Sequence, residues 1–167
     1  MWFDRIPEDD GRRWLAPEVV QTSAMDCGPA ALKCLLEGFH IPVSYGRLRE
    51  ACQTDIDGTS IDMLEQVAVQ LGLDAAQVMV PADHLLIADN LPALVVVQLA
   101  DGLTYFVVAW RLHGAWLRDG SGERRRWVPK QRFLGDLYIH RQPVAASVWR
   151  EWAGSAGLTL LGNAQGH

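Results

Sequence analysis

The chain has 167 residues, 49% of them hydrophobic and 21% charged, which is enough for one hydrophobic core and too little for two. Its net charge of −5 excludes a general nucleic-acid-binding protein, since contacts to phosphates need a basic surface. No stretch approaches the ~20 apolar residues that span a bilayer, and the N-terminus has no apolar signal segment, so we expect a soluble, cytoplasmic polypeptide.

Residues 1–15 are charged and aperiodic, and we predict an arm that packs through Trp2 or Trp14. Apolar residues then recur at intervals of three or four in three stretches, each of which has a capping or helix-ending residue beside it. The predicted helices cover residues 27–39, 44–51 and 61–71.

Beyond Gly72 the hydrophobic period changes from helical to alternating. Runs rich in β-branched residues predict strands at 75–80, 94–99, 103–111, 115–118, 125–128 and 137–140, with a helical turn at 81–86 and a short helix at 129–134. Asp101-Gly102 and His113-Gly114 are predicted hairpin turns, and 120–122 another. The pattern predicts an α+β fold with N-terminal helices packed on a C-terminal antiparallel β-sheet.

We divide the chain into an N-terminal arm at 1–15, one folded domain at 16–142 and a C-terminal segment at 143–167. In the last of these, Val148, Trp149 and Trp152 recur at roughly helical spacing before a Gly-rich end. This pattern predicts a short amphipathic helix followed by a tail or a linker.

The cysteines at positions 27, 34 and 52 show neither a CxxC pair nor a Cys/His spacing of the kind that holds zinc. Seven residues on one helix separate Cys27 from Cys34 by about 10 Å, which is too far for a disulfide. The acidic loop around Asp55 and Asp57 lacks the later ligand spacing of a calcium site, so we predict a turn there. The sequence thus predicts a reducing compartment, no metal and no other cofactor.

Cys27 lies where a polar segment beginning at Gln21 turns into an apolar helix, and Pro29 suits the first turn of that helix. Unpaired amides and the positive end of a helix dipole favour a thiolate at such a place, which makes Cys27 a candidate nucleophile. Gln21 is a candidate donor to an oxyanion. The alternative is a structural role, since free cysteine is among the most buried residue types.

The run Gln21-x5-Cys27-Gly28-Pro29-Ala30 resembles the start of papain-like cysteine peptidases, specifically the double-glycine leader peptidase domain at the N-terminus of bacteriocin-exporting ABC transporters. Further matches follow in family order at 43–44, 48–52, 57–61 and 64–73. The resemblance runs from about Val19 to Tyr138. It implies a papain-like cysteine peptidase fold, with Cys27 as the nucleophile and Gln21 as the oxyanion donor.

The resemblance also implies a histidine that opens a strand as His-Phe-Val-Val, followed later by an Asp-Pro pair. Here the tetrapeptide begins with Tyr105, and the aspartate maps to Asp119, which Gly120 follows in place of proline. We expect Tyr105 beside Cys27, with Asp119 on the next strand as the third member of the site. Tyrosine, with an ordinary pKa of ~10, is a poor general base near neutral pH.

None of the five histidines is expected to replace the missing base. His113 lies about 26 Å along the strand from position 105, and His40 about 18 Å along the helix from Cys27. His84 falls in a surface turn, while His140 and His167 end a strand and the chain.

Three functions remain open from the sequence. The first is a docking domain of a bacterial ABC exporter that binds a peptide leader or secreted cargo without cleaving it, which needs an apolar groove and no triad. The second is an active cysteine peptidase that cleaves after a double-glycine motif during peptide export. The third is a freestanding accessory protein unconnected with transport. The resemblance implies a location at the cytosolic face of the inner membrane, with the membrane and nucleotide-binding domains of the transporter as partners.

Overall fold

The computed structural model describes residues 11–119, 126–139 and 145–153. Within these ranges the helices are α1 (Cys27–Gly38), α2 (Tyr45–Ala51), α3 (Ile61–Gln70), α4 (Lys130–Asp136) and α5 (Ala146–Ala153). The strands are β1 (Ala93–Gln98), β2 (Thr104–His113), β3 (Trp116–Asp119) and β4 (Arg126–Pro129), with 3-10 turns at Ala24–Asp26, Ala82–Leu86 and Ala88–Asn90. The predicted order, three helices before an antiparallel sheet, is confirmed.

Helix α1 is apolar on two sides and therefore lies at the centre of the domain. One side carries Leu32 and Leu36, which pack with Leu48 of α2 and Leu64 of α3. The other side packs on the sheet, where Ala31, Leu35 and Cys34 join Val108 and Trp110 of β2. A helix hydrophobic nearly all round is stable only when buried, so α1 requires both neighbours.

The four described strands form one antiparallel sheet in the order β1-β2-β3-β4. Side chains alternate along β2, so that Val108 and Trp110 face α1, while Val107 and Ala109 face the opposite side. Phe133 of α4 and Leu85 of the 3-10 turn Ala82–Leu86 pack with that opposite side. Both faces of β2 are covered, which explains its largely apolar sequence.

Two of the predicted strands are wrong. Residues 75–80 form no strand, and residues 76–80 are exposed. The outer edge of β1 is occupied instead by Leu137, which forms a bridge with Val97, and by the Tyr138 amide, which donates to the Val96 carbonyl at 2.9 Å. That bridge is what remains of the strand predicted at 137–140, since a single pair does not make a ladder. The turn at 120–122, Arg125 and His140 lie outside the described residues, whereas the helix expected after 143 is α5.

The described part of the arm is fastened to β2 and to the end of α1. The Arg13 amide donates to the Gly38 carbonyl at 2.8 Å, and the Trp110 indole donates to the Arg13 carbonyl at 3.2 Å. Arg12 Nη1 donates to the Trp110 carbonyl at 3.0 Å, and Trp14 lies under the Arg111 guanidinium at 4.7 Å. Trp14 itself is 56% exposed, so the described contacts of the arm come mainly from Arg12 and Arg13, and Trp2 lies outside the described residues.

The closest approach of helix to sheet is at Gly38, the last residue of α1. A Cβ atom at this position would lie 2.2 Å from Cη2 of Trp110, a distance that real carbon atoms do not adopt. Trp110 is completely buried, so its ring has no room to move away. Position 38 therefore requires glycine, because the backbone of α1 packs there directly on the Trp110 ring and leaves no space for a side chain.

We therefore expect Gly38→Ala to lower the free energy of unfolding by about 1–3 kcal/mol, the usual cost of overpacking a tight core. Gly46→Ala is the matched control, since a Cβ at Gly46 in α2 meets nothing within 4 Å and alanine favours a helix. Urea unfolding followed by tryptophan fluorescence measures both. Equal stability of the two variants would contradict the tight contact at Trp110.

Candidate active site

Cys27 is the first residue of α1 and is half-buried, as the sequence predicted for a residue at the helix N-terminus. The 3-10 turn Ala24–Asp26 leads directly into it, and Ser23 caps that turn by accepting from the Met25 amide at 3.3 Å. The thiol is therefore held at the end of a rigid helix while part of it remains accessible to solvent.

A loop from Thr54 to Thr59 packs against the residue that follows the thiol. A Cβ at Gly28 would lie 3.2 Å from Cβ of Thr59 and 3.3 Å from Cδ1 of Leu64, so only glycine leaves the loop and α3 their present positions. The Thr54 and Thr59 hydroxyls lie 2.6 Å apart and hold the two ends of the loop together. The loop forms one side of the surroundings of Cys27.

Asp26, directly before Cys27, is completely buried and is held by two groups. Thr22 Oγ1 donates to Oδ2 at 2.6 Å, and Arg49 Nε lies 2.8 Å from Oδ1. Burial alone would raise the pKa of Asp26, but the Thr22 hydrogen bond and the Arg49 charge outweigh it, so that the pKa is lowered. The side chain stays ionised and joins α2 to the start of α1.

Sequence reasoning placed no functional weight on Asp26, Thr22 or Arg49. The available signal was an aspartate inside a segment of small and apolar residues, together with the Leu48-Arg49 pair that belonged to the resemblance. A charge at the start of a buried helix needs a partner, and Arg49 was the basic residue in the next helix that matched the family. The contact joins residues 23 positions apart, which periodicity alone does not reveal.

Gln21 and Tyr105, which are 84 residues apart in sequence, are brought together by the fold. The Tyr105 hydroxyl donates a hydrogen bond to Oε1 of Gln21. Both side chains are half-buried. The structure thus joins two of the predicted site residues directly and gives Tyr105 a specific polar partner.

Tyr105 reaches Gln21 from an unexpected side of the sheet. In the register of β2 it is opposite Val97 of β1, and its ring packs with the cluster that contains Val107 and Ala109, on the face away from α1. The hydroxyl therefore approaches the segment before Cys27 from the far face of the sheet. The expected closeness of Tyr105 to the Cys27 thiol stays a prediction.

Asp119 is the last residue of β3, the strand next to β2. Its backbone pairs with Ala109, four residues along β2 from Tyr105, which corresponds to about 13 Å of strand. The side chain of Asp119 and Gly120 after it lie outside the described residues. In the register of β2 and β3, Asp119 is therefore not directly opposite Tyr105.

The histidines of the described ranges lie away from this arrangement. His40 follows α1 at its far end, with φ +63°, and His84 is exposed in the 3-10 turn Ala82–Leu86. His113 ends β2 and contacts the Trp127 ring at 6.1 Å. His140 and His167 fall outside these ranges. Among the residues that the structure describes, no group of three or more His, Cys, Asp or Glu side chains could hold a metal ion.

We expect Cys27 to react with iodoacetamide faster than the other two thiols at pH 8. Cys34 is buried and donates to the Pro17 carbonyl at 3.2 Å, and burial raises the pKa of Cys52 to about 11, so that only about a thousandth of it is thiolate. Peptide mass spectrometry after limited alkylation measures the three rates. Equal labelling would show that Cys27 has no special access.

We expect Asp26→Asn to lower the free energy of unfolding by about 1–3 kcal/mol at pH 7, because the Arg49 contact loses its charge partner. A carboxyl whose pKa is lowered on folding stabilises the protein above the unfolded pKa, and this stabilisation disappears as pH falls through the folded value. The difference from wild type should therefore shrink below the ordinary aspartate pKa of 3.8. Exposed Asp74→Asn is the control, and a gap that is the same at pH 3 and pH 7 would contradict the ion pair.

The same fold is found among solved structures of peptidase domains. A double glycine motif protease from an AMS/PCAT transporter in complex with the leader peptide superposes with a TM-score of 0.63 and 20% identity, over 77% of this chain and 89% of that one. The peptidase domain of Streptococcus ComA, a bi-functional ABC transporter involved in a quorum-sensing pathway, gives a TM-score of 0.66 and 23% identity, over 73% and 92%. These likenesses establish the predicted α+β peptidase fold.

Among curated proteins, the lactococcin-G-processing and transport ATP-binding protein LagD of Lactococcus lactis subsp. lactis is 27% identical over 115 residues. The match covers 66% of this chain and 16% of LagD, so the chain spans a small part of that relative. No helix among the described residues is long and apolar enough to cross a membrane. The family model of Peptidase C39 matches residues 16–134, which include Gln21, Cys27, Tyr105 and Asp119, and the chain therefore belongs to the Peptidase C39 family.

Proposed function

We propose that this chain is the peptidase-like domain of a bacteriocin-processing ABC transporter, and that it binds a double-glycine leader or cargo without cleaving it. The observation that carries the proposal is Tyr105, which stands at the expected histidine position and donates its hydroxyl hydrogen to Gln21. The names of the relatives, an export protein that processes a bacteriocin and a protease bound to a leader peptide, support the substrate class.

In the proposed site, Cys27 is the retained nucleophile and Gln21 the donor to an oxyanion. A cysteine peptidase also needs a base that takes the thiol proton and later gives it to the leaving amine. A phenol holds its proton near neutral pH, and the Tyr105 hydrogen is already directed at Gln21 Oε1. Without that base, amide hydrolysis slows by several orders of magnitude.

Asp119 is the proposed third member of the site, since it follows the family position. In an active peptidase this residue orients the imidazole. Here its backbone pairs with Ala109 rather than with Tyr105, and no imidazole is present at 105 for it to orient. Without an imidazole at position 105, Asp119 has no catalytic partner to orient.

Binding remains possible because it needs surface and not a triad. Exposed apolar side chains, among them Ile56 in the loop that packs near Cys27 and Val78 and Met79 in the segment that forms no strand, offer apolar contact to a peptide. We further propose a peptidase-like domain at 16–142, followed at 143–167 by a C-terminal helix and a tail or linker, with the domain at the cytosolic face of the membrane. The alternative function is an active peptidase that cleaves after the double-glycine motif.

The wild-type protein should bind a peptide that ends its leader in Gly-Gly and continues into cargo, and should leave it intact. Cys27→Ala should leave the affinity almost unchanged, because the thiol does not contribute to docking. Fluorescence anisotropy with a labelled peptide gives the affinity, and mass spectrometry of the same samples shows whether the peptide is cut. Cleavage after Gly-Gly that Cys27→Ala abolishes would refute the proposal and favour the alternative.

Tyr105→His restores the residue type of a general base at the position where the family resemblance implies one, while Cys27 is retained. We expect slow cleavage of the same peptide by Tyr105→His, and none by Tyr105→Phe, which is the control for losing the hydroxyl alone. The cleavage should vanish when Cys27→Ala is added to Tyr105→His. Equal cleavage by the His and Phe variants would show that the residue at 105 does not determine activity.

A further inference from the structure

We propose that Tyr105 is a positioning residue: its hydroxyl holds the Gln21 amide oxygen, so that the amide nitrogen is turned toward the carbonyl of a peptide at Cys27. The inference deepens the proposed function and rests on it for the roles of Gln21 and Cys27. It gives Tyr105 a function of its own, in addition to the effect of lacking a histidine at this position.

The tyrosine ring is fixed by the sheet. Tyr105 is the second residue of β2, pairs with Val97 of β1 in the ladder, and packs with the buried cluster that includes Val97 and Val107. A ring held on its strand and by its neighbours has few alternative rotamers. The hydroxyl at its tip is therefore presented at one defined place.

The backbone of Gln21 is fixed on both sides. Val19, two residues earlier, is buried in the cluster beneath α1, and Thr22, the next residue, donates to the buried Asp26 carboxylate at 2.6 Å. The long side chain of Gln21 can still rotate, so that either the oxygen or the nitrogen of its amide could face the Cys27 site. A single hydrogen bond to the amide oxygen removes that freedom.

The direction of the hydrogen bond decides which end of the amide is available. The oxygen of Gln21 is an acceptor only, so Tyr105 donates to it, and the two hydrogens of Nε2 point away from the phenol. Within the described part of the chain, no hydrogen bond is made by the Gln21 amide nitrogen itself. The donor that an oxyanion needs is thus set before a ligand arrives, which is what preorganisation requires.

A histidine at the same position would not make this contact in the same way. The phenol oxygen stands farther from the backbone than either nitrogen of an imidazole, and Tyr105 reaches Gln21 from the far face of the sheet. The tyrosine thus takes the place of a residue that would carry a proton. Its own role is to fix the Gln21 amide, whose N–H groups donate to the substrate carbonyl. Such a site recognises a peptide carbonyl while it lacks the means to cleave the bond.

The test uses acetyl-glycyl-glycinal, a short peptide aldehyde, on the full chain. The Cys27 thiolate adds to the aldehyde carbon, the carbon–sulfur bond forms as the carbonyl pair moves to oxygen, and that oxygen takes a proton from water. Nothing leaves, so no general base or acid is required for the adduct. Iodoacetamide, which alkylates the same sulfur without forming an oxyanion, is the control reagent.

We expect Tyr105→Phe to weaken the aldehyde adduct about tenfold, the value of one hydrogen bond, while the iodoacetamide rate changes far less. Gln21→Leu should weaken the adduct by a similar factor, and the double variant should be no weaker than Gln21→Leu alone. Gln21→Glu, which still accepts from Tyr105 but cannot donate, should behave like Gln21→Leu. Intact-protein mass spectrometry across an aldehyde titration gives all the constants.

Three outcomes would overturn the assignment: no adduct on wild type at millimolar aldehyde, equal loss in the aldehyde and iodoacetamide reactions, or additive effects of the two substitutions. The small aldehyde needs no leader docking, so these results do not depend on whether a leader is bound or cleaved. Failure of the leader to bind, or its cleavage by wild type, would end that function and leave the Tyr105–Gln21 result standing.

Discussion

Helix α1 lies against strand β2 so closely that only glycine fits at the contact between Gly38 and Trp110. Because Trp110 is completely buried and also bonds the arm, neither partner can retreat. The contact fixes the position of the helix at its C-terminal end, and a rigid helix transmits that position to its first residue. Cys27 lies 11 residues before Gly38 in the same helix, so the packing of Gly38 on Trp110 also fixes the position of Cys27.

The opposite end of α1 is set by charge. Asp26 is completely buried and stays ionised because the Thr22 hydroxyl and the Arg49 guanidinium both contact its carboxylate. Since Arg49 belongs to α2, this contact attaches α2 to the residue directly before Cys27. The same Thr22 is the neighbour of Gln21. The Asp26 carboxylate therefore holds the start of α1 through Arg49, and through Thr22 it holds the backbone beside Gln21, the proposed donor to a substrate carbonyl. The structure around Cys27 is therefore maintained even when the catalytic base is replaced.

The sequence was informative where periodicity and caps determine structure, and weaker where distant residues meet. The three N-terminal helices and the meander followed from apolar spacing, and Cys27 was expected at a helix start. The strand predicted at 75–80 failed because an apolar run needs a partner edge, and Leu137 occupies that edge of β1. The Asp26–Arg49 pair and the Tyr105–Gln21 hydrogen bond depend on tertiary packing, which no local pattern encodes.

In the proposed site a nucleophile remains and a general base does not. An activated ester needs no acid to expel its leaving group, whereas an amide does, so the two substrates separate these functions. The decisive measurement is the reaction of the wild-type chain with a leader peptide that ends in a Gly-Gly p-nitrophenyl ester, beside the same leader continued through an amide bond. We expect a stoichiometric burst of nitrophenolate that Cys27→Ala abolishes, without turnover of the amide. Sustained turnover of the amide would show that a working general base is present.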